Sequence, residues 1–96
     1  MNLPRNARRR FVVNGLVQGV GFRLWARREA LRLGIVGFVR NLSDGRVEAL
    51  AEGPPTALNA FGLILSEGPP RASVSGVDVR EEPARPGEYA TFDLAF

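Results

Sequence analysis

The chain has 96 residues, of which 45% are hydrophobic and 24% charged, with a formal net charge of +3. This length fits one domain with a single core, and this composition excludes the class of disordered proteins. It contains no Cys and no His, and its 13 basic residues are all Arg. Disulfides, thiolate nucleophiles, His general bases, lysine Schiff bases and most transition-metal sites are therefore excluded.

Charge is unevenly distributed along the chain. Residues 1–40 contain nine Arg and one Glu, which gives +8, whereas residues 41–96 contain four Arg and nine acidic residues, which gives −5. A basic half raises the local potential for an anionic ligand, whether a small phosphate compound or a nucleic acid. The charge pattern by itself does not choose between these two ligands.

The beginning of the chain predicts a location and a domain boundary. No apolar run approaches the roughly 20 residues that a bilayer span needs, and residues 1–10 lack the apolar centre of a signal peptide. We therefore expect a cytoplasmic protein with no membrane partner. Residues 1–7 contain Pro4 and no apolar pattern, which predicts a flexible N-terminal tail followed by a domain over residues 8–96.

The first predicted strand begins with three consecutive Arg residues. Arg8, Arg9 and Arg10 precede residues 11–13, an aromatic and β-branched run that is typical of a strand. Three Arg could bind the phosphates of a nucleic acid, but such a run at the start of a strand is more often solvated. We expect it to lie in solvent.

Residues 17–23 link this strand to a helix through a glycine-rich turn. Two glycines allow positive φ values and let backbone N–H groups point into open space. The unpaired N–H groups and positive dipole of the following helix favour an anion, and Arg23 adds a forked donor for phosphate oxygens. A plain connecting turn is the alternative. The predicted phosphate-binding backbone comprises Gln18, Gly19, Val20, Gly21 and Phe22.

Helical spacing of apolar residues predicts an amphipathic helix up to Leu33, ended by a left-handed Gly34. Trp25 lies on its apolar stripe and is expected in the core. Residues 35–42 and 46–52 then predict a hairpin around Ser43-Asp44-Gly45. Asn41, at the end of the first of these strands, either bonds to the turn backbone or serves a site.

The remaining elements complete the predicted fold. A second helix is expected over residues 53–68, because Pro is tolerated in its first turn and Pro69-Pro70 stops it. Two strands are expected at residues 72–80 and 91–96, around a Pro-rich loop. The order β-α-β-β-α-β with a short terminal strand predicts an α+β fold, a ferredoxin-like two-layer sandwich with an antiparallel sheet and two helices on one face.

Several motifs resemble the acylphosphatase family. The similar segments are residues 15–23, 33–41, 44–48 and 68–70 together with Phe92, so the resemblance covers nearly all of residues 8–96. It implies an enzyme that hydrolyses the carboxyl-phosphate bond of acyl phosphates. It also implies that Arg23 binds the phosphoryl group, that Asn41 positions the attacking water, and that the turn backbone supplies donors. Phe38 stands where many relatives carry Trp, a difference that concerns packing.

This chemistry needs neither a metal nor another cofactor. A carboxylate leaves without a general acid, and positioned dipoles stabilise the loose transition state of phosphoryl transfer. Asp44 and Glu48 lack a third ligand for Mg²⁺ and are expected to be hairpin and surface residues. We expect a monomer that acts on a small acyl phosphate without a covalent intermediate, and that binds inorganic phosphate or sulfate as product or mimic.

Two non-catalytic alternatives use the same fold. An RNA-binding module would need exposed aromatic side chains on the middle strands. Phe11 and Phe38 are candidates, but no strand pairs aromatic residues in alternation, so we expect no nucleic-acid partner. A carbamoyl-phosphate-handling module is the other alternative, because acylphosphatase-like domains are also fused to hydrogenase-maturation carbamoyltransferases.

Overall fold

A computed structural model of the chain describes residues 6–96. Most of the tail predicted over residues 1–7 lies outside this range, and Ala7 already belongs to the first strand. No helix among the described residues is long and apolar enough to cross a membrane. The elements are β1 (Ala7–Leu16), α1 (Phe22–Arg32), β2 (Val36–Asn41), β3 (Val47–Gly53), α2 (Pro55–Glu67), β4 (Ser73–Glu82) and β5 (Phe92–Leu94).

The sheet has the strand order β4-β1-β3-β2-β5. The four longer strands pair antiparallel, as predicted, and with two helices they form the ferredoxin-like α+β sandwich. The terminal strand differs, because β5 pairs parallel with β2. The connection from β4 determines the direction in which β5 runs. Its last residue, Thr91, already lies beside β2, since its carbonyl accepts a hydrogen bond from Gly37 N at 3.0 Å. Apolar and polar residues alternate in the same way in parallel and antiparallel strands, so the last six residues do not predict this direction.

The core lies between one sheet face and both helices. Phe61 of α2 is its centre, with ring centroids 5.6 Å from Phe11 of β1 and 5.8 Å from Phe92 of β5, both edge-to-face. Such packing of three rings joins a helix to the first and last strands. Trp25 packs half-buried beside Phe22 at 5.3 Å, as expected for the apolar stripe of α1. This core holds the start of α1 against the sheet.

The other sheet face carries charges that pair across strands. The sequence analysis expected the three consecutive Arg to be solvated, but Arg8 is only 4% exposed. Its Nε donates to Glu52 Oε1 at 2.7 Å, because the antiparallel register of β1 and β3 places the two residues opposite each other. The expectation was wrong for Arg8, since local sequence does not reveal a partner 44 residues away.

Glu48 is a second correction. It was expected at the surface, yet it is only 7% exposed and accepts from Arg40 Nε at 2.6 Å while lying 2.9 Å from Arg10 Nη1. The buried carboxylate is thus compensated by two guanidinium groups, which burial of a charge requires. These pairs engage Arg side chains that an external polyanion would need for binding.

The candidate aromatic residues for RNA stacking are both covered. Phe11 points into the core and is 1% exposed. Phe38 lies on the opposite face, where Tyr89 from the β4–β5 connection packs against it at 6.0 Å. Arg8 stacks over the Tyr89 ring at 5.4 Å. Because base stacking needs free ring faces, this arrangement does not favour the RNA-binding alternative.

Stability is expected to depend on pH through the pair of Arg10 and Glu82. The hydrogen bond from Arg10 lowers the pKa of Glu82 from its usual value of 4.5. A lowered folded-state pKa stabilises the fold above pH 4.5 and loses that contribution as pH falls through the folded value. Both side chains are about a quarter exposed, so Glu82→Gln should cost only about 0.5 kcal/mol at pH 7.

Urea unfolding at pH 7 and pH 3 measures this difference. The cost of Glu82→Gln should shrink between pH 7 and pH 3, because the wild-type carboxyl loses its charge as the pH falls towards and through its lowered folded-state pKa. Glu67→Gln changes an exposed carboxyl at the end of α2 and serves as the control. A cost that stays the same at both pH values would show that the substitution acts by another route.

Candidate active site

The start of α1 is open to a ligand. Gly21 occupies the N-cap position with φ 77°, and no side chain caps the helix. Trp25 N donates to Gly21 O at 3.1 Å, which closes the first turn. The earlier N–H groups of the helix have no partner within it, and its first turn contains no acidic residue. The positive end of the helix dipole therefore faces the cleft without a compensating charge.

The turn before the helix leaves space at its backbone. Gly19 and Gly21 have φ values of 74° and 77°, which L side chains rarely adopt. A Cβ added at either position would meet no atom within 4 Å. Glycine is thus required here by backbone conformation and not by crowding. The open space above the backbone is available to a bound group.

Asn41 lies at the end of β2, across the cleft from α1. It follows Val39 by two residues, so it shares the helix-covered face of the sheet with that buried side chain. Within residues 6–96, its amide makes no hydrogen bond to the hairpin turn, the local role that the sequence left open. Asp44 makes the hydrogen bond to the turn backbone instead, since its Oδ1 accepts from Arg46 N at 3.1 Å.

Gln18 joins the glycine turn to the β2–β3 hairpin. Its Nε2 donates to Leu42 O at 2.7 Å and to Arg46 O at 2.9 Å. The sequence analysis placed this residue in the phosphate-binding backbone and missed the role of its side chain. The two bonds hold the turn next to the end of β2, where Asn41 lies.

One cleft brings the predicted side chains together. It has a volume of about 200 Å³, and both Arg23 and Asn41 contribute to its wall. Of the predicted backbone residues, Gln18 and Val20 do not line it. The Phe96 ring lies 5.4 Å from the Arg23 guanidinium carbon. The complete lining is Val17, Gly19, Gly21, Phe22, Arg23, Leu24, Asn41 and Leu94.

The electrostatics of the cleft favour an anion. Arg23 is the one charged residue in the lining, and no carboxylate among residues 6–96 pairs with it. The guanidinium has a permanent positive charge, and the uncapped helix N–H groups beside it carry partial positive charge. Both attract an anion and can donate hydrogen bonds to it. The arrangement can hold a tetrahedral oxyanion and keep a small polar molecule beside Asn41.

Acidic residues near the hairpin are engaged with Arg side chains. The hydrogen bond from the Arg46 side chain holds the pKa of Asp44 below its usual value. Glu48 lies on the opposite face of the sheet in the network described above. Across the described part of the chain, no three acidic side chains come close enough to hold a metal ion.

Gln18→Ala is expected to loosen the site. The substitution removes two hydrogen bonds, but Leu42 O keeps Gly45 N as a donor at 3.2 Å and Arg46 O keeps Leu42 N at 2.8 Å, so the cost should be about 1 kcal/mol of stability. The turn would then be held less firmly against β2. Thermal unfolding with and without saturating phosphate measures both effects. Gln18→Glu is the matched variant, since it keeps the side-chain length but cannot donate as an ionised carboxylate.

Comparisons with known proteins find similar sequences and similar folds. A family model described as Acylphosphatase matches residues 9–94. An acylphosphatase of Alkalilimnicola ehrlichii is 53% identical over 83 residues, covering 86% of this chain and 93% of the relative. The crystal structure of acylphosphatase from Bacillus subtilis superposes with a TM-score of 0.89 at 39% identity, covering 94% of this chain and 99% of that one. Full-length HypF, solved in a phosphate- and nucleotide-bound form, matches with a TM-score of 0.83 at 26% identity, over 99% of this chain but 12% of its own.

Proposed function

The chain belongs to the acylphosphatase family, and we propose that it hydrolyses the carboxyl-phosphate bond of acyl phosphates in the cleft between α1 and the end of β2. The observation that carries this proposal is the cleft itself. Arg23 and Asn41 come from separate elements, yet both contribute to one small wall beside an uncapped helix start. Few unrelated functions need this combination of anion donors and a neutral amide.

Arg23 and the turn backbone bind the phosphoryl group. The planar guanidinium donates to two phosphoryl oxygens, and the N–H groups of Gly19, Gly21 and Phe22, the turn residues that line the cleft, reach the others. In phosphoryl transfer the transition state is loose, with negative charge spread over the equatorial oxygens. Donors fixed in advance stabilise that charge without reorganising during the reaction. The rate enhancement therefore comes mainly from position and electrostatics.

Asn41 orients the attacking water. Its carbonyl oxygen accepts one water proton in a hydrogen bond and holds the water oxygen in line with the leaving acyl oxygen. An amide does not remove the proton at neutral pH. A phosphoryl oxygen can take it, because the second pKa of phosphate esters is about 6. The substrate thus supplies its own base.

The bond changes balance without a covalent enzyme intermediate. The new bond joins the water oxygen to phosphorus, and the broken bond joins phosphorus to the acyl oxygen. The electron pair leaves with the carboxylate. One water proton moves to a phosphoryl oxygen and the other stays on the attacking oxygen, so the products are a carboxylate and dihydrogen phosphate. Because a carboxylate is a weak base, the leaving group needs no proton donor.

The two alternatives are not favoured. The matched proteins named acylphosphatase are 53% and 39% identical to this chain. HypF is only 26% identical to it. The pairing of Arg8 and Arg10 with acidic residues also leaves no continuous free basic surface on the sheet for RNA.

Isotope labelling tests the chemistry. Acetyl phosphate is hydrolysed in ¹⁸O-labelled water with EDTA present. We expect the label in phosphate and none in acetate, with full activity retained. Label in acetate would mean that water attacks the carbonyl carbon. Activity that EDTA removes and Mg²⁺ restores would mean that a metal takes part.

The oligomeric state and the cellular location are further proposals. Both proposed catalytic side chains come from one chain, which supports a monomer, and sedimentation at micromolar concentration tests it. We also propose a single domain over residues 8–96, a cytoplasmic location and the binding of phosphate or sulfate in the cleft. Limited proteolysis, cell fractionation and calorimetric titration test these three in turn.

A further inference from the structure

Resting on the proposed function, we propose that Leu24 is the entrance of an acyl-binding groove along the outer face of α1. This groove selects acyl phosphates with an extended apolar acyl group over acetyl phosphate. It is defined by Leu24, Arg27, Arg28 and Leu31, which line a cavity of about 260 Å³.

Leu24 is an unusual residue for its position. It follows Arg23 directly in the first turn of α1 but lies outside the apolar stripe that packs on the sheet, and it is 57% exposed. It also lines the phosphoryl cleft, together with Leu94 of β5. An exposed leucine next to the reacting group gives the cleft an apolar side. In the proposed binding mode, the acyl group extends from the phosphoryl group along that side.

Leu24 lines both the phosphoryl cleft and this second cavity, so the proposed path of the acyl group runs past its side chain. Leu31 lies seven residues further, which is two turns and about 10 Å along the helix. It is 46% exposed, so it leaves apolar surface at the far end of the groove. The path from the phosphoryl cleft thus has room for an alkyl chain of medium length.

The sides of the groove are the stems of Arg27 and Arg28. Arginine stems cover apolar surface while their charged ends stay in solvent. The charged end of Arg27 lies near β5, with Nη2 3.9 Å from Asp93 Oδ1. Two leucines and two arginine stems form a surface suited to methylene groups. Covering it with an alkyl chain removes apolar area from water on both sides.

Hydrolysis of acetyl and hexanoyl phosphate tests the groove. Both release aliphatic carboxylates of similar basicity, so a difference in kcat/KM reports acyl binding. We expect hexanoyl phosphate to be preferred about tenfold, as for a few methylenes in an open apolar site. Leu24→Ala should reduce this preference to about one, whereas Leu24→Met, which keeps apolar volume, should retain it. Leu63→Ala, at a 70% exposed leucine of α2, is the matched control and should also retain it.

A second measurement uses alkylphosphonates, which bind without being hydrolysed. Hexylphosphonate should inhibit acetyl phosphate hydrolysis by the wild-type protein about tenfold more strongly than methylphosphonate, for the same reason. Equal kcat/KM values for the two substrates, or a preference that survives Leu24→Ala, would overturn the groove while leaving the proposed function intact. Failure to hydrolyse either substrate would instead overturn the proposed function and the groove with it.

Discussion

Replacing Arg23 with Ala is expected to lower kcat/KM for acetyl phosphate by about 10²–10³-fold, the loss typical of removing one positioned donor to a developing oxyanion. The side chain lines the cleft and has no carboxylate partner among residues 6–96, so the fold does not depend on its charge. Inhibition by inorganic phosphate should weaken in parallel, because product and transition state use the same donor. Steady-state kinetics and phosphate inhibition measure both effects.

Two further variants sharpen this expectation. Arg23→Lys keeps the charge but loses the forked geometry, so it should recover only part of the activity. Arg85→Ala is the control. Arg85 is exposed, and its backbone N donates to Glu52, which pairs with the start of β1. The substitution should change kcat/KM less than about twofold. If Arg23→Ala keeps more than a tenth of wild-type activity, its role in phosphoryl binding is refuted.

Replacing Asn41 with Ala is expected to lower kcat by about 100-fold and to change phosphate inhibition much less. The reason is that its amide positions water, a contribution made in the transition state, while Arg23 and the turn bind the phosphoryl group. The amide has no hydrogen bond to the hairpin in the described part of the chain, so its removal leaves no backbone group unpaired. The kcat effect should therefore appear without a loss of stability.

A charge variant separates orientation from binding. Asn41→Asp keeps the shape but places a carboxylate in the cleft, so it should raise KM by repelling the phosphoryl group. Asn59→Ala serves as the control, since that amide lies on α2 and accepts from Arg9. Equal losses in phosphate affinity and in kcat for Asn41→Ala would place this residue among the phosphoryl-binding groups.

The order of elements could be predicted because each signal is local. The glycine turn, the helical spacing after Phe22 and the Ser43-Asp44-Gly45 hairpin depend on residues within a few positions of each other. These signals, with the family resemblance, gave a fold class that the structure confirms. The assignment of Arg23 and Asn41 to one site came from the resemblance, and their chemical roles remain a prediction that the variants above test.

Contacts between distant strands could not be predicted in the same way. Burial of Arg8 against Glu52 depends on a register that joins residues 44 positions apart. The Gln18 side chain bonds to carbonyls 24 and 28 positions away, so nothing near it in sequence indicates a tether. The parallel direction of β5 depends on how its connection crosses the sheet.

By itself, then, the sequence determined which segments form helices and strands, where the backbone needs glycine, and which chemistry the missing Cys, His and Lys exclude. The tertiary structure alone decided which of these groups meet. It placed the helix start opposite the end of β2, compensated the charges of the open sheet face, and put Leu24 in the lining of both the cleft and the cavity on the outer face of α1. Backbone preferences are local, whereas a site is made by the packing of elements that are far apart along the chain.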